Sequence, residues 1–347
     1  MDVQTACKRA IRVLGRASKE ERERLGLVLQ KVKFGVGAVG APDGWAWPYV
    51  TCRTSRVGFI GYVDQSLPSV LVEPARLKTA VDQPVTAGQE DGKLVLFAGR
   101  SRRFDLTAED ATAYPVFPEF PINWREVAGE DWRTVLDIVH AAGGRHSPEM
   151  LRVVRFHKSF VDATDAERVS VAWLAIPEFV GQVPVEFFDG WPVGSVQVGR
   201  AGQYVWARVG TEVRWAVLQE QRAPELEENW EKAIAHGFVV DHAAFAKAVK
   251  AGVRVSDTQT FRLHANADEL EIRAHVQTTE GRDYRATVPV VGLLGDPIVD
   301  AVLVSAKALV AAVKACRTSM LGMQFAGKTS PLSIHSGWRL ELLWPRL

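Results

Sequence analysis

The chain has 347 residues, 47% apolar and 24% charged, with a net charge of +1. That length exceeds one ordinary core and suits two or three globular domains; no apolar run reaches the ~18 residues a membrane-spanning helix needs, which excludes a helical membrane protein. Cys7, Cys52 and Cys316 are odd in number and widely spaced, so they are expected as reduced thiols of a cytoplasmic protein and not as a disulfide framework.

The first segment, MDVQTACKRAIRVLGR, has short apolar patches among basic residues and no continuous apolar core. It is expected as a mature helix over residues 2–17 and not as a leader. Alternation predicts strands near Leu27–Phe34 and Val57–Val63, a helix at Glu73–Val81, and strands at Lys93–Ala98 and Arg103–Leu106. Tyr114-Pro115-Val116-Phe117-Pro118-Glu119-Phe120-Pro121 has the composition of a connector. A second passage opens with a helix at Glu130–Ala142, whose Trp132, Val135, Leu136 and Val139 share a face. Strands follow near Leu151–Phe160 and Arg168–Ile176, then a helical stub at Val185–Phe188, and strands at Ser195–Val198, Tyr204–Val209 and Val213–Leu218.

The charged stretch Gln219–Lys232 leads to a third passage, with a helix at His242–Val253 and strands at Thr260–Ala265, Glu269–Thr278 and Tyr284–Val290. An Ala-rich helix is expected over Asp300–Thr318, its apolar stripe Leu309, Val313 and Cys316 spaced i, i+4, i+7, before two last strands. Trp173, Trp206 and Trp215 alternate within strands and are expected in the core. The order helix, strands, short helix, strands thus occurs three times, at about 115 residues each. The fold class is α+β, with domains at 1–121, 122–231 (second helix shortened) and 232–347.

Charge is unevenly spread. The helices at 2–17, 241–254 and 305–317 carry +3, +2 and +3, leaving −7 on the rest of a chain whose total is +1. Arg9, Arg12 and Arg16 repeat the spacing of Lys247, Lys250 and Arg254, i, i+3, i+7, one helical face. A single such face reads as a solvated helix surface. Three of one sign read as a focused basic surface that meets a polyanion.

Four local motifs, in order along the whole chain, carry a family resemblance. They are Gly99-Arg100-Ser101-Arg102-Arg103-Phe104-Asp105-Leu106 with Tyr114-Pro115 downstream, Ala163-Thr164-Asp165-Ala166-Glu167-Arg168-Val169, Ala223-Pro224-Glu225-Leu226, and the ending Leu342-Leu343-Trp344-Pro345-Arg346-Leu347. Together they resemble the bacterial β sliding clamp, the DNA polymerase III β subunit family. The second matches that family's Ala-Thr-Asp-Gly-His-Arg-Leu at four of seven positions.

The resemblance implies three clamp domains, with helices lining an inner surface and antiparallel sheets outside, and two subunits closing head to tail into a ring. It implies a DNA polymerase processivity factor and no enzyme, with no cofactor, no metal and no membrane. The partners would be double-stranded DNA, a second copy of the chain, and polymerase and clamp-loader subunits bound through short peptides. Such a ring needs phosphate contacts without base readout. The candidates are Lys8, Arg9, Arg12, Arg16, Arg76, Arg102, Lys247, Lys250, Arg254, Lys307, Lys314 and Arg317. Carried over by position, the peptide pocket would comprise Thr164, Arg168, Val169, Pro224, Leu342, Trp344 and Pro345.

Ala166 and Glu167 depart from the family's Gly-His, Glu228 stands where a base is usual, and rigid Trp344 replaces an adaptable Met. These departures, and the acids Glu186 and Asp189 where an inner wall would carry bases, motivate an alternative: a clamp-like paralogue that binds DNA or replication partners without a loaded ring. Gly35-Val36-Gly37-Ala38-Val39-Gly40 fits a dinucleotide fingerprint, but Pro42-Asp43-Gly44 follows where a helix should start. His140 and His146 lack metal-ligand spacing. Asp162, Asp165 and Glu167 form the one acidic cluster that a metal-dependent nuclease could use.

Overall fold

The computed structural model describes residues 1–17, 30–37, 46–65, 67–90, 93–99, 102–106, 109–144, 147–219, 237–255, 259–274, 284–294, 301–325 and 331–345. The first three residues of the strand expected at Leu27–Phe34, most of the connector after Gln219 with Pro224 and Glu228, and Arg100, Ser101, His146, Arg346 and Leu347 lie outside them, as does the side chain of Arg16. The chain forms two compact units, residues 1–136 with 176–220, and 137–175 with 221–347. Among the described residues no helix is long and apolar enough to cross a membrane.

In the first unit, helix α1 (Val3–Arg16) starts at Asp2, whose carboxylate accepts from the Thr5 N–H at 2.7 Å, one of the amides a helix start leaves unpaired. Its apolar residues Val3, Ala6, Cys7, Ala10, Val13 and Leu14 are buried against strands Trp47–Arg53 and Val57–Tyr62 and the short helix α2 (Pro74–Ala80). A nine-stranded antiparallel sheet runs in the order Glu109–Asp110, Val70–Val72, Val32–Gly37, Trp47–Arg53, Val57–Tyr62, Glu212–Val217, Tyr204–Val209, Val196–Ala201, Arg125–Val127. A separate three-stranded sheet holds Val85–Glu90, Lys93–Ala98 and Arg102–Leu106.

The large sheet is one piece across the expected boundary near residue 121, because Val57–Tyr62 pairs with Glu212–Val217. That seam depends on Gly58: a Cβ there would overlap the Trp215 indole, so only glycine lets the strands close over the ring. The Pro-rich connector caps the same region, with Phe117 edge-on to Tyr49 and Trp215 and Phe120 against Trp206.

Helix α3 (Gly129–Val139) enters this unit through Trp132. The indole is fully buried among Phe179, Phe188 and Trp191. The expected stub is a 3-10 turn, Val185–Phe188, whose Phe187 and Phe188 are buried. Phe187 and Phe188 thus join Trp132 and Trp191 in one buried aromatic cluster.

The second unit contains helices α4 (His242–Val255) and α5 (Ala306–Ala315), packed on each other. Its antiparallel strands run Val153–Phe156, Val161–Thr164, Arg168–Ala172, Arg339–Leu343, Leu332–Ser336, Met320–Gln324, Gly237–Asp241, Tyr284–Leu294, Glu269–Ala274, Thr260–Ala265, Ala301–Ser305. Arg168–Ala172 pairs with Arg339–Leu343, which again crosses an expected boundary. The strands of the expected second domain are therefore shared between the two sheets.

Several elements differ from expectation. Ala301–Ser305 is a strand, and the helix begins only at Ala306, where the Ser305 hydroxyl accepts from the Ala308 N–H. Val302 and Val304 are buried with Leu303 exposed between them, a period-two pattern that the five residues Ala-Val-Leu-Val-Ser are too few to separate from a helix. Leu151–Phe160 is a short turn followed by the strand Val153–Phe156. Trp47–Arg53 and Val70–Val72 are additional strands. Trp206 and Trp215 are core residues as expected, but Trp173 is 42% exposed.

Candidate nucleic-acid interface and partner pocket

In the first unit, Lys8 and Arg12 stand exposed on the side of α1 away from its buried stripe. Arg76 is exposed on α2, and Arg102 on the edge strand of the three-stranded sheet. Arg9 is different. It forms an ion pair with buried Glu212, whose other oxygen accepts from Arg214 Nε at 2.7 Å. Arg214 also donates to the Phe187 carbonyl at 3.1 Å and lies over the Trp191 ring at 4.6 Å. Burial of its guanidinium pushes it down to about 9. Arg9 therefore completes a buried charge network instead of offering an open cation.

In the second unit, Lys247, Lys250 and Arg254 are exposed along α4 while Phe245 and Val249 are buried. On α5, Lys307 and Lys314 are exposed opposite Ala308, Leu309, Ala312 and Val313. Among the described residues these five basic side chains have no ion-pair partner, so their charge faces solvent. Arg317, just past α5, is instead paired with Asp137 of α3.

The expected peptide pocket also falls in this unit. Thr164–Arg168 is a tight turn: the Asp165 carboxylate accepts from the N–H groups of Glu167 and Arg168 at 3.0 and 2.9 Å. The Thr164 hydroxyl donates to the Arg168 carbonyl at 2.8 Å. Ala166 sits at φ +76°, the single non-glycine residue there among those described, at the position where the resembled motif has glycine. The Trp344 N–H donates to the Glu167 carbonyl at 3.1 Å, and Pro345 bridges to Val304. These bonds bring Thr164, Val169, Leu342, Trp344 and Pro345 together; Trp344 remains 37% exposed.

Strand geometry separates two of the expected members. Arg168 and Val169 are neighbours in one strand, so they project from opposite faces. Val169 and Leu342 are cross-strand partners in an apolar cluster with Phe160, Val171 and Leu340. The i, i+2 spacing of the Val and Leu pairs was the sequence signal for those extra members.

Arg168 turns the other way, donating to the His140 carbonyl at 3.0 Å and lying 3.7 Å from Glu341. There it lines a cleft of about 1060 Å³ with His140, Asp165, Glu167, Ala306, Lys307 and Lys314 among others. The cleft thus places the turn beside the basic face of α5. Burial pushes the Glu341 carboxyl up while Arg339 and Arg168 pull it back. Asp162 is removed from the acidic cluster; it is buried and paired with Arg155 and with His157 at 3.3 Å. Among the described residues no group of three His, Cys, Asp or Glu side chains is arranged to hold a metal ion.

No protein-family model matches the chain, and no curated protein matches it in sequence. Solved structures do match. The DNA polymerase III β subunit from Thermotoga maritima is 15% identical with a TM-score of 0.76, covering 100% of this chain and 98% of its own. The DNA polymerase sliding clamp from Bacillus subtilis is 16% identical with a TM-score of 0.75, at 99% and 98% coverage. The sliding clamp from Bartonella birtlesii bound to griselimycin is 13% identical with a TM-score of 0.76, at 100% and 98% coverage. Over its whole length, the chain has the fold of the bacterial DNA polymerase III β sliding clamps.

Proposed function

We propose that this protein is a DNA sliding clamp, a non-enzymatic processivity factor of three domains whose copies close as a homodimeric ring around duplex DNA in the cytoplasm. The observation that carries the reading is the full-length likeness to β clamps at TM-scores of 0.75 and 0.76. The basic faces of α1, α4 and α5 supply its chemistry. They present Lys and Arg without base-reading partners, as sliding requires. The cleft beside the Thr164–Arg168 turn and the apolar residues around Leu342 and Trp344 would receive peptides from a polymerase and a clamp loader.

Loaded protein should stay on nicked circular DNA and be lost when the circle is cut; equal retention on both rejects sliding. Changing Lys250 and Lys314 to Gln should flatten the slope of log K against log salt by about 0.9 per lost phosphate contact. An unchanged slope would show that these faces do not meet DNA.

The second reading, a clamp-like paralogue without a loaded ring, is favoured by one specific observation. Arg9 and Arg317, two of the residues a basic wall would use, are held by Glu212 and Asp137. A strict monomer at micromolar concentration would select it.

A further inference from the structure

Five charged side chains of alternating sign form one chain of contacts in the second unit. Arg168 Nε lies 3.7 Å from Glu341 Oε2, and Arg339 Nε donates to Glu341 Oε1 at 2.7 Å. Arg339 Nη1 lies 3.9 Å from Asp137 Oδ2, and Arg317 Nη2 donates to that same Asp137 oxygen. The inner members are dry, with Arg168, Arg339 and Glu341 at 4%, 4% and 0% exposure. The outer pair is wet: Asp137 is 27% exposed and Arg317 52%.

The backbone fixes Arg317 in place, because its N–H donates to the Ser336 hydroxyl at 3.2 Å directly after the end of α5. Lys314, one turn earlier on the helix, is exposed and has no such acid partner among the described residues.

From this arrangement we infer that Asp137 is a latch on Arg317, withholding its guanidinium from DNA phosphate for as long as Asp137 keeps its carboxylate. The inference rests on the duplex-binding reading and adds a positioning residue to it. A phosphate offers a guanidinium the same fork geometry as a carboxylate, so exchange is chemically matched. The released Asp137 is not stranded, because Arg339 already stands beside the oxygen that Arg317 would leave. Arg317 is 52% exposed, so a phosphate can reach it once the carboxylate is removed.

The test uses the full chain and a linear duplex of about 30 base pairs, with binding followed by fluorescence anisotropy from about 50 to 200 mM salt. Arg317→Gln alone should leave the slope of log K against log salt as in the parent protein. Asp137→Asn should steepen it by about 0.9, one further phosphate contact, and tighten binding several-fold at low salt. The double variant should return to the parent slope. A general field effect of the lost carboxylate would survive in the double variant, whereas the latch requires that it vanish. Asp137→Ser provides a second form should the Asn variant melt early.

The latch is overturned if Arg317→Gln alone flattens the slope, since Arg317 would already be on phosphate. It is equally overturned if neither Asp137 variant steepens it. Binding that responds to Lys250→Gln and Lys314→Gln but ignores Asp137 sinks the latch alone. A parent protein that ignores the linear duplex but stays on nicked circles has the same slopes read from its retention there, and one that does neither sinks the duplex reading and the latch with it.

Discussion

Removing the carboxylate of Glu341 is expected to cost the second unit more than any surface change. The side chain is fully buried and accepts from Ser170 Oγ at 2.5 Å and Arg339 Nε at 2.7 Å, with Arg168 at 3.7 Å. Glu341→Ala would leave two guanidiniums, each 4% exposed, without their shared anion. Breaking a buried pair by deleting one partner costs about 3–5 kcal/mol, because the other charge stays dry and uncompensated. Glu341→Gln keeps an acceptor but no charge and should cost about 1–3 kcal/mol.

The readout is native-state hydrogen exchange of the amides in Arg168–Ala172 and Arg339–Leu343, whose opening free energies should fall by those amounts. Strands of the first unit serve as the internal reference. A fall of under about 1 kcal/mol in the Ala variant would show that Arg168 and Arg339 are not held by Glu341, and would remove the inner part of the charge chain.

The pH response gives the same group a second signature. Its folded carboxyl lies above the ordinary value of 4.5, so the folded state holds the proton more tightly than the unfolded chain. Its contribution is then full below the ordinary value and declines as pH rises through the raised one. Glu341→Gln should abolish that decline.

Two further expectations follow from Ala166 and from the three cysteines. Ala166 at φ +76° bears a left-handed strain of about 1–2 kcal/mol, and glycine returns about 0.4–1 kcal/mol of unfolded-state freedom. Ala166→Gly should therefore raise stability by about 0.5–1 kcal/mol in urea unfolding, and a loss of stability would refute the backbone assignment. Cys7, Cys52 and Cys316 are buried free thiols, with Cys316 pushed up to about 12 by burial. A thiol reagent at mildly alkaline pH should label none of the native chain and all three after denaturation; rapid labelling of any one would contradict its placement.

Local periodicity was readable directly from the residues. Helix α1, the face of α5 through Leu309 and Val313 and the stub at Val185–Phe188 all appear where short-range pattern put them. These features depend on residues within one or two helical turns of each other, and that information is local by nature. The basic spacing of Lys247, Lys250 and Arg254 was legible for the same reason.

What only tertiary structure decided are the meetings between distant segments. The sheet seams Gly58 with Trp215 and Val169 with Leu342, and the pairing of Arg317 with Asp137 across 180 positions, have no short-range signature. The strand before α5 departs from the helical expectation because Ala-Val-Leu-Val-Ser suits either state until the strand Thr260–Ala265 supplies hydrogen bonds. Likewise, the charge of Arg9 and Arg317 was visible in the sequence, but its availability was not. Whether a cation meets phosphate or a carboxylate depends on which acid the fold brings within hydrogen-bonding reach, and that is settled by packing, not by spacing along the chain.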